Sequence, residues 1–400
     1  MSPSIRLALV SVVAGLSVGV VYVFQPLVTL IAVEFELTPT AANLVATIVL
    51  VGYAVGVLAL IALSDRVQAR AQVQWQAFAT AAFLGLAACA PNFVVLCVAA
   101  FGAGVCASTA QILMASMVRS ASPGRAGSTT SLLAGALLIG IFGSRILAGV
   151  IGGATGWRPV IGGLAVLMLL SIPVLRAATP SQDLDPTARY GAIMRGLPRL
   201  LFGNAPLAIS AFTHFAVFAG FQAVWSLLVV DVTGPPLSWS VGAAGLVGLV
   251  GLAAGAATLR TGRLVDRYGS GRVLGASVTA LLLGALLVAG FNRVPVVLIA
   301  ALFVFTVGLQ VEQVSTQSLA MQSSGADRVG QANSLYMFLA FAGGSIGSAI
   351  GAGLFDRSGY RATALFAAAC VLVAIALQIV AARIRGRSRR LRNGREVRNG

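Results

Sequence analysis

Lysine is absent from this chain, histidine occurs once, and only 10% of its 400 residues are charged. An enzyme needs a nucleophile–base pair or a metal centre, and so thin a supply of ionisable groups leaves little from which to assemble either. The four cysteines (Cys89, Cys97, Cys106 and Cys370) form no CxxC and have no histidine at metal-ligand spacing. Buried thiols are therefore expected and no metal site, with a Cys89–Cys97 bridge across one short loop as the alternative. The phosphate-binding loop GxxxxGK[ST] is also missing, which argues against an ATP-driven pump.

What the chain has instead is apolar length. Its hydrophobic fraction is 58% and its mean hydropathy +0.94, well above the roughly half-apolar makeup of soluble domains. Twelve runs are long enough to cross a bilayer, near residues 5–33, 41–63, 73–90, 92–118, 127–153, 157–175, 205–231, 239–260, 272–290, 294–321, 330–354 and 360–382. Unbroken runs exclude a transmembrane β-barrel, and the first is too long for a signal-peptide core and is followed by eleven more. The 46 glycines suit spanning helices that associate through small residues. The expected fold is an all-α integral membrane protein.

Since all 27 basic residues are arginine, orientation follows from counting them. With the N-terminus in the cytoplasm, twenty-two arginines fall in cytoplasmic segments, four (Arg158, Arg293, Arg357 and Arg361) fall outside, and Arg145 lies within a span. That bias predicts cytoplasmic termini. It also makes the net charge of +16 mostly a topology signal. Nucleic acid, the other partner of a basic chain, calls for a folded basic face, whereas here only the tail concentrates charge, and that tail is expected on anionic lipid or disordered.

An internal repeat organises the runs. Arg125, Gly127, Ser131, Leu132, Gly140, Gly156 and Arg158 recur as Arg328, Gly330, Ser334, Leu335, Gly343, Gly359 and Arg361 at a constant offset of 203, and Asp65-Arg66 recurs as Asp266-Arg267 at 201. Two six-helix halves follow: residues 1–175 and 205–382, joined by a charged, proline-containing cytoplasmic linker at 176–204 and trailed by the basic tail 383–400.

Twelve spans in two halves, with an Asp-Arg loop after the second span of each, resemble the major facilitator superfamily over essentially the whole chain. The superfamily loop G-x-x-x-D-R-x-G-R-R/K is matched in the second half by Gly262, Asp266, Arg267 and Gly269, with Ser270 at the next basic position. The first half keeps Asp65, Arg66 and Arg70 but has Ile61 and Gln68 at the glycines. The stretches 21–58 and 309–355 look like the bacterial arabinose-efflux-permease-like or drug/proton-antiporter branch. In span 5, Gly135, Gly152 and Gly153 fit the antiporter pattern, while Ser144, Ala148 and Gly149 replace its Gly, Gly and Pro; helix packing accounts for these small residues equally well.

The resemblance implies alternating access, gating by Asp65, Arg66, Asp266 and Arg267, and a mid-membrane cavity lined by spans 1, 4, 7 and 10. At about 100° per residue, span 1 aligns Ser11, Gly15, Tyr22, Gln25 and Thr29, and span 4 aligns Cys97, Phe101, Gly104, Ser108 and Gln111. His214, Phe218, Phe221 and Trp225 align on span 7, and Thr306, Gln310, Gln313 and Gln317 on span 10. Glutamines facing lipid would leave amides unpaired, so span 10 is expected to line the cavity. For span 7, packing surface, or for Trp225 a place at the outer interface, is the alternative. One aromatic and one amide wall suit a small amphipathic molecule better than a strongly anionic one. Arg145 and Glu312 are the charges within spans and candidates for coupling. Their axial offset of roughly 13 Å argues against direct pairing. Glu312 points away from the glutamine stripe and is expected to contact a neighbouring helix, either as a proton carrier or as a packed, hydrogen-bonded neutral carboxyl, while Asp231, Glu34 and Glu36, at outer ends of spans, are expected to be solvated. The expected function is a monomeric secondary transporter of the bacterial inner membrane, needing no cofactor beyond a proton gradient and exporting small amphipathic compounds. A sugar efflux or uptake permease and a non-transporting receptor are the alternatives.

Overall fold

The computed structural model describes residues 3–63, 67–120, 126–180, 190–258, 261, 267–325 and 328–396; Asp65, Arg66 and Asp266 lie outside them. Among the described residues there is no strand. Span 1 is Pro3–Tyr22, a 3-10 turn at Gln25–Leu27 and Val28–Glu34. Span 2 is Pro39–Ala42 with Leu44–Leu63, span 3 Ala69–Ala88, span 4 Phe93–Cys106 with Thr109–Arg119, span 5 Ala126–Thr155 and span 6 Trp157–Ala178. A linker helix, Tyr190–Gly203, leads to span 7 at Ala205–Thr233, span 8 at Val241–Leu246 with Gly248–Thr258, span 9 at Ser270–Phe291 and span 10 at Pro295–Gln322. Spans 11 and 12 form one continuous run, Val329–Glu396, turned at Gly359.

Ten of these stretches are long and apolar enough to cross a bilayer, and the last of them, Val329–Arg383, covers two spans. Span 3 is the twelfth; its Arg70, Gln72, Gln74 and Gln76 lower its hydropathy. Helix starts follow local chemistry. The side chains of Thr38, Asn92, Asn204 and Ser240 accept hydrogen bonds from the backbone N–H groups of Ala41, Val95, Leu207 and Ala243, satisfying donors that a helix start leaves unpaired.

The sequence repeat is also a repeat of geometry. Gly156 and Gly359 hold φ of 86° and 72° at the turns into spans 6 and 12, a region that glycine enters at little cost. A Cβ on Gly140 would run into the backbone of Gly15, and one on Gly343 into that of Phe215. Span 5 thus packs on span 1 as span 11 packs on span 7. Span 7 lies at the centre of the bundle, with 94% of its most apolar window buried.

The two halves also meet near the bundle end opposite the linker, here called the far side. Gly149 and Gly153 of span 5 press on Gly245 and Gly242 of span 8. Thr40 of span 2 donates to Asp356 of span 11 at 2.5 Å, and Thr47 and Asn43 donate to Ser348 at 2.8 and 3.3 Å. The far side is therefore closed. The small residues of span 5 serve two seams, one with span 1 and one with span 8, which is the packing reading of that glycine-rich stretch. The cysteines are all free thiols.

Candidate functional site

The span-7 stripe read from the sequence is a ladder of rings. His214 stacks on Phe218 at 5.7 Å, Phe218 on Phe221 at 6.1 Å, and Phe221 tilts against Trp225 at 5.8 Å. All four are buried, which rules out an interfacial place for Trp225. Helical rise spreads this wall over about 16 Å along the membrane normal, and each end carries a different polar cluster.

At the linker end, His214 Nδ1 and Glu312 Oε2 lie 2.6 Å apart, with side-chain exposures of 1% and 0%. The second carboxylate oxygen accepts from Thr316 Oγ1 at 3.1 Å, and that hydroxyl also meets the Tyr336 hydroxyl at 2.7 Å. The Tyr336 ring stacks on His214 at 5.1 Å, opposite Phe218. An N···O contact this short is a hydrogen bond with one proton lying between the two groups, and its burial makes the pair a candidate for coupling. Glu312 does turn from the glutamine stripe to a neighbouring helix, and the neighbour is the chain's one histidine. Sequence reasoning placed these two residues in separate roles; the structure makes them one unit.

At the far end stands Arg145. Its Nε donates to Gln25 Oε1 at 2.9 Å, and its guanidinium carbon lies 4.6, 5.1 and 4.9 Å from the ring centres of Tyr22, Phe142 and Trp225. Span 1 brings Gln25 there because its helix breaks at Pro26 into the 3-10 turn Gln25–Leu27. Four of the candidates thus meet: Tyr22 and Gln25 from span 1, Trp225 from span 7, and Arg145 from span 5. Arg145 does not reach Glu312, in line with their axial offset.

The remaining candidates take flanking places. Gln111 Nε2 donates to the Tyr53 hydroxyl at 3.4 Å; Tyr53 meets Phe341 edge-on at 4.4 Å, and Phe341 meets Phe218 at 5.4 Å. Gln317 donates to Asn333 of span 11 at 2.7 Å, and Gln310 and Gln313 are half-buried on the same helix. Arg267 is exposed, its guanidinium 5.2 Å from the ring centre of Tyr268. The other three gating candidates, Asp65, Arg66 and Asp266, lie outside the described residues.

Two expectations are corrected. Phe101 is exposed on span 4 and is no part of the wall. Asp231 is buried rather than solvated, and Asn292, at the C-terminal cap of span 9, donates to its carboxylate at 3.4 Å. Glu34 and Glu36 are exposed as expected, Glu34 pairing with Arg158 at 2.7 Å. Spans 2, 5 and 11 contribute Tyr53, Phe142, Tyr336, Phe341 and Asn333, which were missed because the search was confined to spans 1, 4, 7 and 10. The signal was available as aromatic or polar residues inside otherwise aliphatic runs.

The comparisons with known proteins agree with this architecture. The chain is 27% identical over 373 residues to the uncharacterized transporter YgaY of Escherichia coli O157:H7, covering 93% of this chain and 94% of that one. It is 29% identical over 372 residues to a probable transporter of Streptomyces coelicolor, covering 92% and 85%. Among solved structures, the nucleoside transporter NupG superposes with a TM-score of 0.75 at 16% identity, covering 94% of this chain and 99% of that one; at that identity the likeness is one of fold. The sequence model of the Major Facilitator Superfamily matches residues 7–254 and 207–399, and the chain belongs to that superfamily as a multi-pass membrane transporter.

Proposed function

We propose that this transporter is a proton-coupled exporter of small amphipathic organic molecules in the bacterial inner membrane, with both termini in the cytoplasm. One observation carries the reading: the buried His214–Glu312 pair sits directly against the aromatic wall of span 7, so the group that holds a proton touches the surface on which an apolar body would lie. Loading a substrate against Phe218 and Phe221 displaces Tyr336 or Phe341 and disturbs the geometry of the pair. Proton release and substrate entry are then linked in a single event, as exchange requires. In this cycle substrate enters from the linker side, the cytoplasm in this orientation, and leaves when the contacts that close the far side part. Asp65, Arg66, Asp266 and Arg267 hold the linker side shut in the opposite state.

The test is proton flux in reconstituted vesicles carrying a pH-sensitive dye, scanned over a panel of amphipathic acids, amines and dyes. At least one compound should evoke flux that Glu312→Gln abolishes, while substrate-for-substrate exchange of the same compound persists in the variant. Undiminished flux in Glu312→Gln would remove the pair from the coupling mechanism.

A further inference from the structure

The far end of the wall holds donors without acceptors. Arg145 is 4% exposed, and among the described residues no carboxylate pairs with it. Only its Nε has a partner. Its Nη1 and Nη2, the Nε2 of the Gln25 amide and the Nε1 of Trp225 are all buried and unpartnered. The residues that could have neutralised the charge are instead aromatic: Tyr22, Phe142 and Trp225 surround the guanidinium with ring faces. A guanidinium stays charged at any accessible pH. Buried polar hydrogens are normally paired, and an unpaired charge in a membrane interior is expensive enough that it marks a ligand pathway more often than a packing device. A structural tether would not need a surplus of N–H groups on three different spans.

We propose that Arg145, with Gln25 and Trp225, forms the head-group site for a carboxylate, so that the transported molecules are amphipathic monocarboxylates with an aromatic or aliphatic body. This rests on the reading of the central wall as the transport path, and it names the substrate class. The chemistry of the parts agrees. The planar fork of the guanidinium presents paired N–H groups to a carboxylate, Gln25 and Trp225 add neutral donors, and Phe221, next on the ladder after Trp225, offers an apolar surface for the body. A single cation balances a single negative charge, which excludes dicarboxylates. Amine substrates are disfavoured as well, because an ammonium group would stand beside the Arg145 charge.

The test uses purified full-length protein and three probes of the same body: phenylbutyrate, its neutral amide phenylbutyramide and the cation phenylbutylamine. Binding is read by thermal unfolding and by quenching of tryptophan fluorescence, with sodium chloride as the inorganic control. Phenylbutyrate is expected to bind, and the amide and the amine to bind at least tenfold more weakly. Arg145→Gln should weaken the carboxylate by about ten- to a hundredfold, the loss for removing a charged hydrogen-bonding partner, while leaving amide binding unchanged. Should Arg145→Gln not fold, Trp225→Phe replaces it: that variant keeps a ring and removes the donor, and is expected to weaken the carboxylate alone. The proposal is overturned if the amide or amine binds as tightly as the carboxylate, if no probe binds, if the variant that folds binds phenylbutyrate as the parent does, or if chloride alone reproduces the effect. Because binding is read without a proton gradient, failure here leaves the coupling role of His214 and Glu312 standing, and loss of that role leaves the carboxylate site standing.

Discussion

Ser348→Ala should open the far side. The Ser348 hydroxyl is fully used: it accepts from Thr47 at 2.8 Å and Asn43 at 3.3 Å, both on span 2, and donates to Ser226 of span 7 at 3.1 Å. The bond to Ser226 lies within the C-terminal half and persists whichever side is open. The two bonds from span 2 cross between halves and exist only while the far side is closed. Interhelical hydrogen bonds in membranes average about 0.6 kcal/mol and reach about 1.7, so losing both removes about 1 to 3 kcal/mol from the closed state. A two-state equilibrium then moves about fivefold to a hundredfold toward the far-side-open form. The assay is pulsed electron paramagnetic resonance between spin labels at Pro91 and Val296, exposed positions at the far ends of opposite halves, in a background with Cys89, Cys97, Cys106 and Cys370 replaced. A long-distance population should grow in the variant. An unchanged distance distribution would refute the reasoning, since it would mean that the polar contacts do not bias the equilibrium.

The same labels test the neighbouring seam. A Cβ on Gly149 would stand 2.6 Å from Gly245 Cα and 3.0 Å from the Val241 carbonyl oxygen. Overpacking of this kind costs typically about 1 to 3 kcal/mol, so Gly149→Val should shift the distribution in the same direction as Ser348→Ala, and a distribution identical to the parent's would count against a tight seam. On the linker side, Asp266→Asn should impair transport more than Asp65→Asn. The loop of Asp266 still ends in Gly269 at φ 81°, whereas Gln68 stands at that repeat position with φ −52°. Greater harm from Asp65→Asn would overturn that ranking.

The span count, the repeat and the span-7 ladder were legible in the sequence because each rests on local periodicity: run length for spans, a fixed offset for the repeat, and 100° spacing for the stripe. The pairing of His214 with Glu312 was not, because it depends on how spans 7 and 10 rotate against each other, and that is set by glycine seams distributed over several helices. Periodicity gave the face of span 10 on which the glutamines lie, and it directed Glu312 to another helix without saying which. The Gln25–Arg145 contact was hidden for a similar reason. Pro26 signals a break in span 1, but the direction in which the broken turn aims Gln25 is fixed only by the packing of Gly15 and Gly19 on span 5. Asp231 was misjudged because position along a helix was used as a proxy for exposure, and its carboxylate is buried against Asn292.

The repeat also explains where the polar contacts between halves arise. The register is pinned on both sides by Gly140 with Gly343 and by Gly156 with Gly359, so Arg145 of span 5 corresponds to Ser348 of span 11. Both positions reach across to the other half: Arg145 to Trp225 of span 7, Ser348 to Asn43 and Thr47 of span 2. Duplication of a six-helix unit thus supplied two equivalent crossing points, and the two residue types divide the tasks between them. Serine finds all its partners within the protein, so its contacts report only whether the far side is shut. Arginine at the equivalent point keeps two nitrogens without partners, so its contacts remain incomplete until something else enters. Exchanging the two side chains tests the division. In Arg145→Ser with Ser348→Arg carboxylate binding should vanish. At position 348 the charge would face Asn43, Thr47 and Ser226 in place of the ring cage, with no Gln25 or Trp225 donors beside it. Retained binding of phenylbutyrate in the exchanged protein would show that the charge alone, and not its surroundings, makes the site.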